Sequence, residues 1–223
     1  SVGTVEVNDA VQRTVTVENE GGESFTITGA SGDGAIETAS VLGSNRTFPG
    51  GETRLEVIVN ASSTGSIDST VDITTSAGSD PTVNVTGTAV APTLKTPPSD
   101  VNFGDTAVGS ASEQAIELNN TGNATLVIDR PTITGTGADN FSVLSGNQTL
   151  RIAAQSNQNI SIGVAPNIST PGPDDISANL TIQPLNDPNT PTQRIGLSGN
   201  GTTANATLNR SAVSFGSVQI NGT

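Results

Sequence analysis

The sequence predicts an all-β protein made of tandem antiparallel β-sandwiches, two nearly whole and a third begun. Three observations predict it. Apolar and polar residues alternate over short runs, as in Val15-Thr16-Val17-Glu18 and Ile116-Glu117-Leu118-Asn119, and no window keeps a helical period. Turn-forming clusters cut these runs, at Gly21-Gly22, Pro49-Gly50-Gly51, Thr121-Gly122-Asn123, Pro171-Gly172-Pro173 and Asn186-Asp187-Pro188. One motif recurs at a spacing of about a hundred residues, the size of one small domain. It reads Val2-Gly3-Thr4-Val5-Glu6-Val7-Asn8, then Phe103-Gly104-Asp105-Thr106-Ala107-Val108-Gly109, then Phe215-Gly216-Ser217-Val218-Gln219-Ile220-Asn221.

The repeat divides the 223 residues into 1–91, 92–201 and 202–223. In the first part strands are expected at Val2–Val7, Gln12–Glu18, Ser24–Thr28, Arg54–Asn60, Thr70–Thr74 and Thr82–Gly87. In the second they are expected at Phe103–Val108, Gln114–Asn119, Thr125–Asp129, Asn140–Val143, Gln158–Val164, Ala178–Gln183 and Gln193–Leu197. Alternation sets the faces. Val15, Val17, Leu55, Val57, Val59, Ile116, Leu118, Leu180 and Ile182 point inward, and a one-residue slip would move each set into water. The stretch from Ala89 to Ser99 holds Pro92, Pro97 and Pro98 and predicts an extended, semi-rigid connector. The stretch after the second part, Gly199 to Leu208, has no proline and predicts a looser one.

The core must be built from Val, Ile, Leu and Ala, because there are five Phe and no Trp, Tyr or Met. No cysteine is present, and a sandwich of this size can do without disulfides. No leader and no transmembrane run is visible, and the chain opens on Ser1 rather than Met, as expected of a processed chain or a fragment. The net charge of −13 argues against nucleic acid and anionic membranes as partners. The acid surplus reads either as plain solubility or as adaptation to high salt, as in a halophilic archaeon. The second reading is helped by Lys95 being the only lysine.

Chemistry-bearing residues are scarce. With no His, Cys or Tyr, Ser–His and Cys–His nucleophiles are excluded within this chain, and an enzyme is not expected. Glu113, Glu117, Asp174 and Asp175 read as solvated surface charges. Zinc has only carboxylates to bind, and Asp174-Asp175 or Ser31-Gly32-Asp33-Gly34 are the places where calcium could sit. Gly21-Gly22 and Gly50-Gly51 read as turns rather than phosphate cradles, since no helix follows them, and no cofactor is expected.

Glycosylation is the strongest chemical signal. Fourteen of the twenty-one Asn lie in N-x-S/T sequons. Asn45, Asn60, Asn84, Asn119, Asn123, Asn147, Asn159, Asn167, Asn179, Asn200, Asn205 and Asn209 are the candidate acceptors. Asn140, beside the core residue Phe141, and Asn221 complete the set. Composition alone makes some sequons in a chain so rich in Thr, Ser and Asn. The functional reading is a heavily N-glycosylated extracellular chain.

The order of motifs in the second part resembles the Hydin-like, or ASH-type, Ig-like domains and their relatives in prokaryotic secreted choice-of-anchor D proteins. The residues that carry the resemblance are Val101-Asn102-Phe103-Gly104, Leu118-Asn119-Asn120-Thr121-Gly122, Leu126-Val127-Ile128 and Phe141-Ser142-Val143. They continue with Leu185-Asn186-Asp187-Pro188 and Ile195-Gly196-Leu197-Ser198-Gly199-Asn200-Gly201. The resemblance implies two Ig-like sandwiches of seven strands, with a scaffold or surface role and no catalytic residues. The first part matches less closely.

The expected function is a structural subunit of an extracellular filament, pilus or cell-surface fibre whose copies bind one another head to tail. The first part is expected to lack its first strand, and the C-terminal segment is expected to donate one to the next copy. Leu208, Val213, Phe215, Val218 and Ile220 would be the apolar anchors of that subunit interface. The alternative is an adhesion or ligand-binding region of a larger secreted protein.

Overall fold

The computed structural model describes residues 1–167, 174–204 and 207–208. In the first repeat the strands are β1 (Gly3–Glu6), β2 (Val11–Glu18), β3 (Phe25–Gly32), β4 (Ile36–Leu42), β5 (Arg46–Thr47), β6 (Glu52–Val59), β7 (Gly65–Thr75) and β8 (Thr82–Val90). In the second they are β9 (Asp100–Ala107), β10 (Ser112–Asn120), β11 (Leu126–Ile128), β12 (Thr132–Thr134), β13 (Phe141–Ser145), β14 (Leu150–Ile152), β15 (Ser156–Val164), β16 (Asp174–Ile182) and β17 (Gln193–Thr202). One turn of 3-10 helix, Ala138–Asn140, precedes β13. Among the described residues no helix is long and apolar enough to cross a membrane.

The strands form an all-β sandwich fold of the Ig-like kind. In the first repeat β1, β8, β7, β3 and β5 make one sheet in that order, and β2, β6 and β4 make the other. In the second, β9, β17, β16 and β12 make one sheet, β10, β15 and β13 another, and β11 pairs with β14. Among the described residues, only β1–β8 and β9–β17 pair in parallel. Each repeat has its own apolar cluster. One is built on Leu55, Val57, Val59, Val71 and Ile73, the other on Ile116, Leu118, Ile160, Ile162, Leu180 and Ile182. The faces follow the alternation, with Leu55, Val57 and Val59 buried beside exposed Arg54 and half-buried Glu56 and Ile58.

Four strands were not predicted from the sequence. In β4 the register slips between Ile36 and Thr38, and that bulge breaks period two. β5, β12 and β14 are two or three residues long, too short to carry a period. β11 and β12 correspond to the single strand β3, interrupted at Pro131, which has no N–H to give to a ladder.

One expectation needs correction. The first repeat does not lack its first strand outright. β1 pairs with β8 from Gly3 opposite Gly87 to Glu6 opposite Val90, burying Val2 and Val5. The connector is tied down at both ends. Ala89 and Val90 still belong to β8, and Leu94 bridges to Asn120 in the second repeat.

Candidate functional site

The features that set this chain apart from an ordinary sandwich lie where one repeat meets the next. β8 ends at Val90, whose carbonyl takes the Val7 amide at 2.9 Å. The chain then lies along the end of β10. Ala91 donates to Asn123 Oδ1 at 2.8 Å and accepts from the Asn123 amide at 3.0 Å. Thr93 donates to Asn120 Oδ1 at 3.1 Å and accepts from the Thr121 amide at 2.8 Å. Leu94 donates to Asp187 Oδ2 at 2.7 Å, and Lys95 donates to the Asn119 carbonyl at 2.8 Å. Val90, Ala91 and Leu94 are buried. A short extended segment whose polar groups are paired this fully cannot hinge without losing several hydrogen bonds together.

Three residues make the groove. Asn120 is fully buried; its amide donates to the carbonyls of Ala124, Ile152 and Ala153, and its oxygen accepts from Thr93 and Gly122. Asp187, almost buried, holds its own turn by accepting the amides of Asn189 and Thr190 at Oδ1, which leaves Oδ2 for Leu94. Gly122 is there for close approach. A Cβ at this position would stand 2.4 Å from both the Ala91 oxygen and the Thr93 nitrogen, which are backbone atoms with nowhere to go. Reading Gly122 as a turn glycine missed this, because a close approach between segments leaves no local signature.

The edge of β8 is the second feature. In the second repeat β17 is covered from Gly196, opposite Asp100, to Thr202, opposite Ala107. In the first, cover starts at Thr86, whose carbonyl takes the Val2 amide at 2.8 Å. Among the described residues Asn84 and Val85 have no partner on that side.

The sequon asparagines divide by access. Asn45, Asn84, Asn123, Asn147, Asn159, Asn167 and Asn179 are exposed, and Asn60, Asn119, Asn140 and Asn200 are half-buried. The Asn200 amide nitrogen is held by Asp105 at 2.8 Å, and its oxygen is buried. Asn123 and Asn147 use their oxygens, toward Ala91 and Arg130, so their nitrogens stay available. Leu208 is exposed. Asn205, Asn209, Val213, Phe215, Val218, Ile220 and Asn221 lie outside the described residues.

The carboxylates do not converge. Among the described residues no group of three or more His, Cys, Asp or Glu could hold a metal ion. Glu113 and Glu117 are exposed along β10. Asp175 is exposed in β16, the strand that Asp174 opens. Asp33 has a structural use, accepting the Thr70 amide at 2.6 Å. That backbone hydrogen bond is the main reason its pKa lies below the ordinary aspartate value.

No family model matches the chain, and no curated protein does. Solved structures similar to it include a protein of unknown function from Porphyromonas gingivalis, at 14% identity and a TM-score of 0.38, covering 87% of this chain and 93% of that one. An ASH/PapD-like domain of a human protein overlaps at 19% identity and a TM-score of 0.37, covering 52% of this chain and 89% of its own. Domains 4 and 5 of an S-layer protein overlap at 16% identity and a TM-score of 0.33, covering 79% and 72%. The sandwich assignment stands on the ladders of this chain itself.

Proposed function

We propose that this chain is a structural element of an extracellular surface fibre, N-glycosylated, in which Ig-like repeats are set end to end by pinned connectors. The observation that supports it is the groove of Asn120, Gly122 and Asp187, which holds residues 91–95 by side-chain and backbone hydrogen bonds. A ligand-binding region places its polar groups on exposed loops held by a rigid scaffold. This chain instead spends buried polar groups on fixing one repeat to the next.

Joining of copies through the C-terminal segment belongs to the same reading. Seating Phe215, Val218 and Ile220 in the first-strand slot of another copy requires β1 to leave it, because Val2 and Val5 already fill that slot. Among the described residues, the part of that slot beside Asn84 and Val85 is open without displacement.

The test is NMR alignment of the single chain. Both repeats should share one alignment tensor and one tumbling time. Gly122→Val, which drives a side chain into the connector, should separate them at a stability cost of about 1–3 kcal/mol. Independent tumbling of the two repeats in the unmodified chain would remove the basis for the proposal.

A further inference from the structure

We infer that the cleft between β12 and β13 is the seat of the first sugar of an N-linked glycan on Asn147, and that this sugar closes the side of the sandwich between those two strands. The inference rests on the reading of the chain as N-glycosylated and names where one of its glycans lies.

The cleft comes from a break in a strand. Pro131 interrupts in the second repeat what runs unbroken as β3 in the first. After the break β12 pairs with β16, while β13 pairs with β15, so the two are outer strands of different sheets. Between them lies a cleft of about 390 Å³. Small-ligand sites run from about 300 to 1,000 Å³.

The floor of the cleft is apolar and incompletely covered. Ile133, Ala138 and Val143 pack against the core of the repeat and stay half-buried. The rim carries Arg130, Asp139 and Asn147. Arg130 and Asp139 do not neutralise each other, because the one ion pair among the described residues joins Arg54 to Glu52. A pyranose ring is divided in the same way, with C–H groups on its faces and hydroxyls around its edge. Its face would cover Ile133 and Val143, and its hydroxyls would meet the guanidinium and the carboxylate.

Asn147 stands at this cleft as an acceptor. It heads the sequon Asn147-Gln148-Thr149 and is exposed. Its Oδ1 accepts from Arg130 Nε at 2.8 Å, and among the described residues its Nδ2 has no partner. An N-glycosidic amide keeps its oxygen, so the hold of Arg130 survives attachment and fixes the direction in which the sugar leaves. Attachment exchanges one Nδ2–H for a bond to the anomeric carbon of a lipid-phosphate-linked sugar. The C1–O bond of that donor breaks, the lipid phosphate leaves with the electron pair, and a base of the transferase takes the amide proton.

The first repeat supplies the contrast. Its turn after β4 passes through left-handed Gly43, as the turn after β13 passes through left-handed Gly146. The next residue is Ser44 there and Asn147 here. The neighbouring sequon residue, Asn45, gives its nitrogen to the Ile27 carbonyl at 3.3 Å.

The test uses the full chain made in a eukaryotic host and trimmed by an endoglycosidase to the single N-acetylglucosamine on each occupied asparagine. Nuclear Overhauser contacts should join the Asn147 sugar to the methyl groups of Ile133 and Val143. Thr149→Ala removes this one acceptor and should speed amide exchange in β12 by about fivefold or more. Made in bacteria, without glycans, the parent and Thr149→Ala should exchange at the same rate. A bare Asn147, a sugar without contact to Ile133 and Val143, or exchange that Thr149→Ala changes equally with and without glycans overturns the seat. Glycopeptide analysis of native material is a separate measurement. Sugar on none of its sequons would remove the glycoprotein reading, whereas a failed seat at Asn147 leaves that reading standing.

Discussion

Two asparagines at the same place in their repeats do different amounts of structural work. Among the described residues the Asn120 side chain makes five hydrogen bonds and the Asn19 side chain makes three. Asn120→Ala leaves buried carbonyls and a connector amide without partners, and should cost about 3 kcal/mol. Asn19→Ala should cost less, and urea unfolding of the two variants would rank them. Asp33 gives a pH-dependent case. Its folded pKa lies below its unfolded value, so the stability it adds is present above about pH 4 and is lost as pH falls through the folded pKa. Asp33→Asn should therefore destabilise at neutral pH, and its melting curve should converge on that of the parent in acid. A gap that widened on acidification would contradict this account.

Among the elements, the turn after the first strand ties sequence to structure most directly. Asn8 has φ of 64° and Gly109 has φ of 81°, and both follow a hydrogen bond that closes the strand, Val7 to Val90 and Val108 to Thr202. Glycine holds this left-handed conformation freely and asparagine tolerates it. Gly109→Ala should cost about 1 kcal/mol, whereas Asn8→Gly should change stability by less than about 0.5 kcal/mol; calorimetry would separate the two.

The long alternating strands were legible in the sequence because a half-buried surface imposes period two on residues such as Leu55 to Val59 and Ile116 to Leu118. The bulged strand β4 and the short strands β5, β12 and β14 were not, because a bulge or a run of two or three residues carries no period. Of the candidate site, Pro92 signalled an extended connector. The seat at Asn120 and Asp187 joins residues up to 93 positions apart and depends on contacts that no local window contains.

At the scale of the whole molecule, the sequons fall into accessible and engaged sets. If the chain is N-glycosylated as proposed, intact-mass and glycopeptide analysis should find occupancy at Asn84, Asn159 and Asn179, which are exposed, and none at Asn200, whose nitrogen is held by Asp105. Full occupancy at Asn200 would mean that glycosylation precedes folding of β17.

The parallel pairing of first and last strands has a mechanical consequence. In the second repeat the chain enters at the start of β9 and leaves at the end of β17, and these ends lie at opposite extremes of one parallel ladder. Tension along the backbone therefore pulls the two strands past each other lengthwise. Every rung from Asp100 to Ala107 resists at once, instead of giving way one after another like the teeth of a zip.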